Sequence, residues 1–394
     1  MQDVVIVSAT RTPFGLYMGS LADQRSQDLA AFSMKEAVVR SGFDSSELDI
    51  CIYSEAKQSS FPANIGRHGW LLAGLDENPG GFTMNALCAG AIQTMISGFN
   101  KIIAGEYSAI MAGGIETNSQ AQYYLVHPRY QFGAGNLTFH DSKVDVETHA
   151  QPVDIYGELT NADIADKIAR NNGLNRSQID EYAFASKAAA NNAIKAGLLK
   201  EAITPIVKKV KKTEVTIDND EGSKASSIEK MLACTAINEC GTATQANIAP
   251  LADGSASIIM LSADRAEQLG AKTMGKIAGF GIAAGNPQLI EKTTLKSISK
   301  ALQSAGITLK ELDFIDYHEP SAAYGLAVSR LLGSDAAGKL NVDGGSLGFG
   351  HAGAATGGAM VVNMIYRLQR TGAKCGLVNV GALGGQSLSI IIKN

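Results

Sequence analysis

One pattern occurs twice in this chain and limits what it can fold into. Residues 89–104 carry an apolar helical pattern, Gly105-Glu-Tyr-Ser makes a turn, and Ala109-Ile-Met-Ala-Gly-Gly114 reads as a buried strand ending on paired glycines. In the last third, residues 354–369 are helical, Arg370-Thr-Gly-Ala-Lys makes the turn, and 375–385 is a strand closing on Gly381-Ala-Leu-Gly-Gly385. Helix, tight turn, strand and paired glycines in the same order mark an internal duplication, with loops of both copies meeting at one site. Around these blocks strands and helices alternate: strand 3–9, helix 28–40, strand 50–54, helix 294–305 and strand 314–319. Such alternation predicts a layered α/β structure with a largely parallel sheet.

Between about 118 and 244 the texture changes. Tyr, His and Asn become frequent, helical patterns appear at 161–171 and 177–196, and Lys208-Lys209-Val210-Lys211-Lys212 leads into a β-like run at 214–218. This reads as an insertion with its own small helices. Its lysines are either a solvated charged face or an approach to a phosphorylated ligand. The α/β style returns at 246–262. The expected division is therefore 1–119 with 245–272, an inserted 120–244, and 273–394.

Composition excludes several classes. A net charge of -4 over 394 residues gives no basic footprint for nucleic acid. No apolar run approaches the roughly 20 residues that cross a bilayer. The N-terminus enters a strand at once, without the pattern of a signal or transit peptide. Five scattered cysteines with no Cys-x-x-Cys pair argue against a disulfide framework or structural zinc, so a reducing cytoplasmic setting is expected.

Cys88 stands at the head of the first repeated helix, in Thr83-Met-Asn-Ala-Leu-Cys88-Ala-Gly. A thiol at a helix N-terminus is biased toward thiolate, the nucleophilic form; a buried structural cysteine is the other reading. Three further stretches fall where strands deliver their carboxyl ends, the usual place for ligands in α/β sheets. They are Tyr317-His318-Glu319-Pro320, the glycine-rich 343–358 around His351, and Gly381 to Gly385. A histidine beside a cysteine can take its proton and later stabilise an oxyanion; a hydrogen-bonded loop histidine is the alternative for His351. His68, His127, His140 and His149 have no such setting.

At this point the chain resembles the thiolases, over essentially its whole length. The carriers are Ser8-Ala-Thr-Arg-Thr-Pro-Phe-Gly15, Asn85-Ala-Leu-Cys88-Ala-Gly, Ala112-Gly-Gly-Ile-Glu116, Gly241-Thr-Ala-Thr, Asn247 to Gly254, Gly344-Gly-Ser to Gly350-His351, and the closing glycine-rich strand. Spaced motifs in a fixed order are far more specific than one alone. His318-Glu319 and Gly384-Gly-Gln386 most resemble the branch that includes the thiolase subunits of trifunctional β-oxidation complexes. The resemblance implies two mixed-sheet halves in α-β-α-β-α layers with an inserted loop domain. It implies an acetyl-CoA C-acyltransferase-like enzyme that uses coenzyme A thioesters as substrates, with no resident cofactor or metal. A homodimer or homotetramer, or a complex partner, is implied as well.

Carried over residue by residue, Cys88 matches the acyl-accepting nucleophile and His351 its activator. His318 takes a place that holds Asn in most thiolases. The backbone N–H groups of Cys88 and Leu383 match an oxyanion hole, with Leu383 replacing a small residue. Asn247, Ala249 and Tyr156 are the weaker matches to coenzyme A or substrate contacts. The departure is at Gly381, where the family carries a second cysteine that moves the α-proton. A positioned acid or base contributes about 10²- to 10⁴-fold, so ordinary thiolysis and Claisen condensation should suffer. A decarboxylating condensing enzyme with a Cys-His-His set, or an attenuated acyl-CoA-binding subunit, are the other readings.

Overall fold

A computed structural model describes residues 3–126, 130, 136–222 and 227–394. His127 lies outside the described residues. Nine strands form the main hydrogen-bonded path of the sheet, and a short tenth strand pairs at its side. They are β1 (Val4–Arg11), β2 (Ile50–Glu55), β3 (Gly80–Met84), β4 (Ala109–Thr117), and then, beyond a hairpin at 206–217, β5 (Ala252–Ser262). The second half supplies β6 (Gly275–Ala284), β7 (Phe314–Tyr317), β8 (Cys375–Ala382) and β9 (Gln386–Lys393). Their spatial order is β7-β8-β9-β6-β1-β5-β4-β2-β3.

The sheet is mixed, which corrects the expectation of largely parallel pairing. β1 with β5, β5 with β4, β6 with β9 and β9 with β8 are antiparallel; β4 with β2, β2 with β3 and β7 with β8 are parallel. Connections decide the direction. A strand that returns through a crossover helix lies parallel, whereas β9 follows β8 through the tight Leu383–Gly385 turn and must run back. Alternation of elements along a sequence does not distinguish these two routes.

The duplication is visible in the pairing itself. Read as β1-β5-β4-β2 and as β6-β9-β8-β7, each half is antiparallel, antiparallel, then parallel. Where the halves join, β1 and β6 pair through Val5 with Lys276 and Ile6 with Gly275. The larger bond between them is a shared core. Helix α1 (Gly90–Ile103) and helix α2 (Thr356–Thr371) lie between the two sheet halves, burying Ile92, Met95, Ile96, Val361, Val362 and Ile365 against strands of both. Outer helices cover the other faces: α3 (Ser26–Ser41) with Trp70 of a neighbouring short helix on one side, α4 (Ile290–Ala305) and α5 (Ala322–Leu332) on the other. The result is α-β-α-β-α.

Two glycines let the central helices approach. A Cβ on Gly357 would lie 2.9 Å from Ile92, and one on Gly358 would lie 3.0 Å from the Cβ of Ala91. Arg11 ties three regions together in the interior. Its guanidinium donates to both carboxylate oxygens of Asp220 at 2.6 and 2.7 Å and to Asn363 of α2 at 2.8 Å. The inserted segment carries helix α6 (Asn161–Asn171) and helix α7 (Arg176–Lys195), each started by a capping box, Thr160 with Asp163 and Asn175 with Gln178. The expected lysine cluster falls on a hairpin of Ile206–Val210 with Thr213–Ile217, where Lys208 pairs with Asp23 at 2.7 Å. Among the described residues no helix is long and apolar enough to cross a membrane.

Candidate active site

Cys88 sits in a single 3-10 turn, Leu87–Ala89, that runs directly into α1. The turn is sharp: Leu87 has φ 49°, and the Asn85 carboxamide oxygen accepts its N–H at 2.9 Å. Gly90 follows because a Cβ there would strike the Ser54 hydroxyl of β2. His351 arrives from the other copy, just ahead of α2. Its N–H donates to Pro250 O at 2.7 Å and its carbonyl accepts from Ala252 N at 2.9 Å, which fixes the loop against β5. The two residues meet with Cys88 Sγ 3.1 Å from His351 Nε2. On the far side of the ring, His351 Nδ1 lies 2.8 Å from Thr356 Oγ1. Donation from Nδ1 to that hydroxyl leaves Nε2 free to accept the thiol proton.

His318 completes the set. Its ring lies over His351 with centroids 4.3 Å apart and planes inclined by 30°. Nδ1 is 2.7 Å from Ser346 Oγ, which also accepts the Glu319 N–H at 2.8 Å. With the serine proton given to Nδ1, His318 Nε2 carries a hydrogen, and this buried nitrogen has no hydrogen-bond partner among the described residues. Glu319 is held by α7 of the inserted segment, accepting from Tyr182 Oη at 2.6 Å and Ser186 Oγ at 2.8 Å. The insertion therefore positions the His318 turn. Cys88, His318 and His351 place donor atoms within 4.8 Å of one another, a set that could also hold a soft metal ion.

Electrostatics correct one expectation. Cys88 has the helix-N-terminal position, yet burial pushes its thiol up to about 12, and the Glu116 carboxylate adds to this. The Lys57 ammonium and the peptide N–H groups of Leu383 and Cys88 itself oppose it without prevailing. Burial alone pushes His318 down to about 3. It also pushes His351 well below the usual imidazole range, helped by the stacked His318 and by Lys57. The resting pair is a neutral thiol beside a neutral imidazole, because desolvating two opposite charges outweighs a helix terminus.

The remaining expected positions divide. Leu383 lines the same pocket as Cys88 and His351. Ala249 lines the adjoining cavity of about 520 Å³ with Tyr17, Ile248, Pro250, Leu251 and His351. Asn247 does not reach that cavity. It is buried in a turn, with its amide donating to Asp180 at 2.7 Å and to Thr242 O at 3.0 Å, and its oxygen taking Thr244 N–H at 2.8 Å. Tyr156 packs against the apolar cluster shared by the inserted helices and the second half. At Gly381 a Cβ would lie 2.6 Å from Tyr324 Oη and 3.3 Å from Thr294 Oγ1, and those two hydroxyls are bonded at 2.6 Å. His68, His140 and His149 line neither cavity.

Sequence reading missed five polar residues of the Cys88 pocket: Lys57, Asn118, Lys143, Glu147 and Asn161. Lys57 and Asn118 follow directly on β2 and β4, at the carboxyl ends where such residues are sought. Lys143 and Glu147 lie on the Ser142–Thr148 helix of the insertion, where no motif marks them.

Comparison with known proteins fits this geometry. The model of the thiolase N-terminal domain matches residues 4–264, and that of the thiolase C-terminal domain matches 271–394. The chain belongs to the thiolase family. An acetyl-CoA acetyltransferase of Pseudomonas aeruginosa is 32% identical over 395 residues, covering 100% of this chain and 99% of its own. One from Syntrophomonas wolfei subsp. wolfei is 30% identical over 398 residues with the same coverage. Among solved structures, the Bacillus anthracis acetyl-CoA acetyltransferase superposes with a TM-score of 0.94 at 29% identity, over 100% of this chain and 99% of its own. The human mitochondrial 3-ketoacyl-CoA thiolase in complex with CoA does so with 0.92 at 28%, over 100% and 98%. This thiolase is accordingly an acyltransferase, and its α/β layers are those of the family.

Proposed function

We propose that this thiolase accepts an acyl group from acyl-CoA on Cys88 and completes turnover with a Cys-His-His set, without a second cysteine. The observation that carries the reading is the 3.1 Å contact of Cys88 Sγ with His351 Nε2, under a second stacked imidazole. In the first half-reaction the Cys88 proton passes to His351 Nε2 as sulfur bonds to the thioester carbon. The carbonyl electrons move to oxygen, where the N–H groups of Cys88 and Leu383 stabilise them. Collapse expels the coenzyme A thiolate, which takes the proton back from His351. The 520 Å³ cavity beside Ala249 suits the pantetheine arm, since it opens onto His351. No protonated side chain at Gly381 is needed for any of these steps.

Ordinary thiolysis and Claisen condensation require an α-proton to be moved in the second half-reaction. The hydroxyls of Tyr324 and Thr294 fill the space beside Gly381, and this favours a second reading. There, loss of CO₂ from a carboxylated acyl-CoA leaves the carbanion that attacks acyl-Cys88, while the Nε2–H of His318 holds the enolate oxygen. A homodimer or homotetramer in the cytoplasm goes with either reading.

Mass spectrometry of the protein with acetyl-CoA and longer acyl-CoAs tests the first half, with Cys88→Ser as control. An acyl adduct absent from the control supports it; no adduct from any thioester leaves an acyl-CoA-binding subunit instead. Release of CO₂ from malonyl-CoA by the acylated protein, against thiolysis of acetoacetyl-CoA, separates the two second steps.

A further inference from the structure

We propose that Lys57 makes the acyl end of the pocket selective for chains that end in a carboxylate, so that the preferred donors are short dicarboxylic acyl thioesters. The inference rests on the acyl-Cys88 reading and names its substrate class. Alkyl chains are received by apolar walls with a few polar groups. Here the pocket that holds Cys88 and His351 has apolar walls of Leu87, Val146, Leu251 and Leu383, and the polar groups set among them are two lysines, Lys57 and Lys143, with Glu147, whose carboxylate takes the Asn161 N–H at 3.0 Å.

Lys57 is the unusual one. Its side chain is 8% exposed, and its ammonium donates to Asn118 Oδ1 at 2.7 Å. Asn118 is itself committed, with its amide donating to Ala252 O at 2.6 Å. The Glu116 carboxylate forms an ion pair with Lys57 at 3.9 Å, longer than a hydrogen bond, so it balances the charge without filling a donor. Both its oxygens already take backbone N–H groups, those of Ala56, Lys57 and Ala354. An ammonium has three donors, and burying it with donors unfilled is costly unless an acceptor arrives.

The same lysine lines a second cavity of about 220 Å³ together with Arg25, Glu55, Glu116 and Gln120. A chain that starts on Cys88 and grows past Lys57 therefore meets polar walls. Glu55 does not cancel the ammonium there, since burial and the neighbouring Glu116 push it up to about 8 and keep it largely uncharged at neutral pH. Lys143, held 5.4 Å from the Tyr17 ring, stands on the pocket wall together with Glu147. A carboxylate at the chain end supplies a further hydrogen-bond acceptor beyond Asn118, the one that the ammonium has among the described residues; a methyl group supplies none.

The experiment measures initial rates of Cys88 acylation by quenched intact-protein mass spectrometry. Three pairs of thioesters are compared: succinyl- with butyryl-CoA, glutaryl- with pentanoyl-CoA, and adipyl- with hexanoyl-CoA. The best-fitting diacid is expected to exceed its partner by about 10- to 100-fold, the worth of a charge-assisted hydrogen bond. Lys57→Met should reverse that order. The inference is overturned if the alkanoyl thioester reacts as fast in all three pairs, or if a folded Lys57→Met keeps the wild-type preference. Were the variant not to fold, the wild-type comparison decides by itself. Adducts without preference end this inference alone; no adduct from any of the six thioesters ends the acyl-Cys88 reading beneath it.

Discussion

Two imidazoles with centroids 4.3 Å apart cannot both hold a proton at low cost, and burial here keeps both neutral. Two outcomes follow for pH. Acylation of Cys88 needs neutral His351, whose titration is pushed well below the usual range, so its rate should stay flat from pH 6 to pH 8 with no limb near 6.5; stopped-flow acylation checks this. For stability the sign is set by His318, held at about 3 against the ordinary 6.5. Between those values the unfolded chain binds the extra proton, so stability is whole at pH 7 and falls as pH drops below 6.5. At pH 5 the loss from this group is about 2 kcal/mol. His318→Asn should remove that part of the fall, read as the difference between urea midpoints at pH 7 and pH 5. At this scale the sequence revealed residue types and their setting, so Cys88, His351 and His318 could be named. It did not reveal protonation, because the thiol's state depends on desolvation by residues distant in the chain. The setting of Asn247 was hidden for a similar reason: the motif marks a turn that its side chain builds from within, through contacts to Asp180 and Thr244.

Elements carry the site by their ends. The head of α1 presents Cys88, the loop ahead of α2 presents His351, and the Gly357–Gly358 pair lets the two helices close. Gly357→Val should overpack Ile92 and Val380, costing about 1–3 kcal/mol and slowing acylation more than it lowers the melting temperature would suggest. Calorimetry alongside the acylation assay measures both. Strand β8 makes a second case. Gly381→Cys alone forces its Cβ to 2.6 Å from Tyr324 Oη and should destabilise without gaining thiolysis. With Tyr324→Phe the hydroxyl is gone, and thiolysis of acetoacetyl-CoA should rise if position 381 is where a thiol can serve; no gain in a folded double variant removes that role from Gly381. Helix 161–171 was legible to the residue because its capping box is local. Strand direction was not, since it is decided by the path the chain takes between strands.

The whole molecule is two copies around one core. The repeated helix-turn-strand pattern was readable because duplication leaves matching local texture. Arg11 was quoted only as part of a motif, and its interior ties to Asp220 and Asn363 depend on contacts across the fold. Arg11→Met should cost about 3–5 kcal/mol, as expected when one partner of a buried pair is removed, and urea unfolding will show it. The short pairing of β1 with β6 matters less. A protease site placed at exposed Lys272-Thr273 should leave the cut chain as one particle by light scattering, since the shared core and not that seam joins the halves.

The 3.1 Å contact between sulfur and ring nitrogen spans the two copies, with one atom riding on each. It works as a strain gauge for the joint between them. A shift of one half against the other by a fraction of an ångström leaves every strand and helix intact, yet it opens the nucleophile from its base. Crowding, cold, or a ligand lodged between the halves would thus show first as a change in acylation rate, ahead of any change in a spectrum that reports secondary structure.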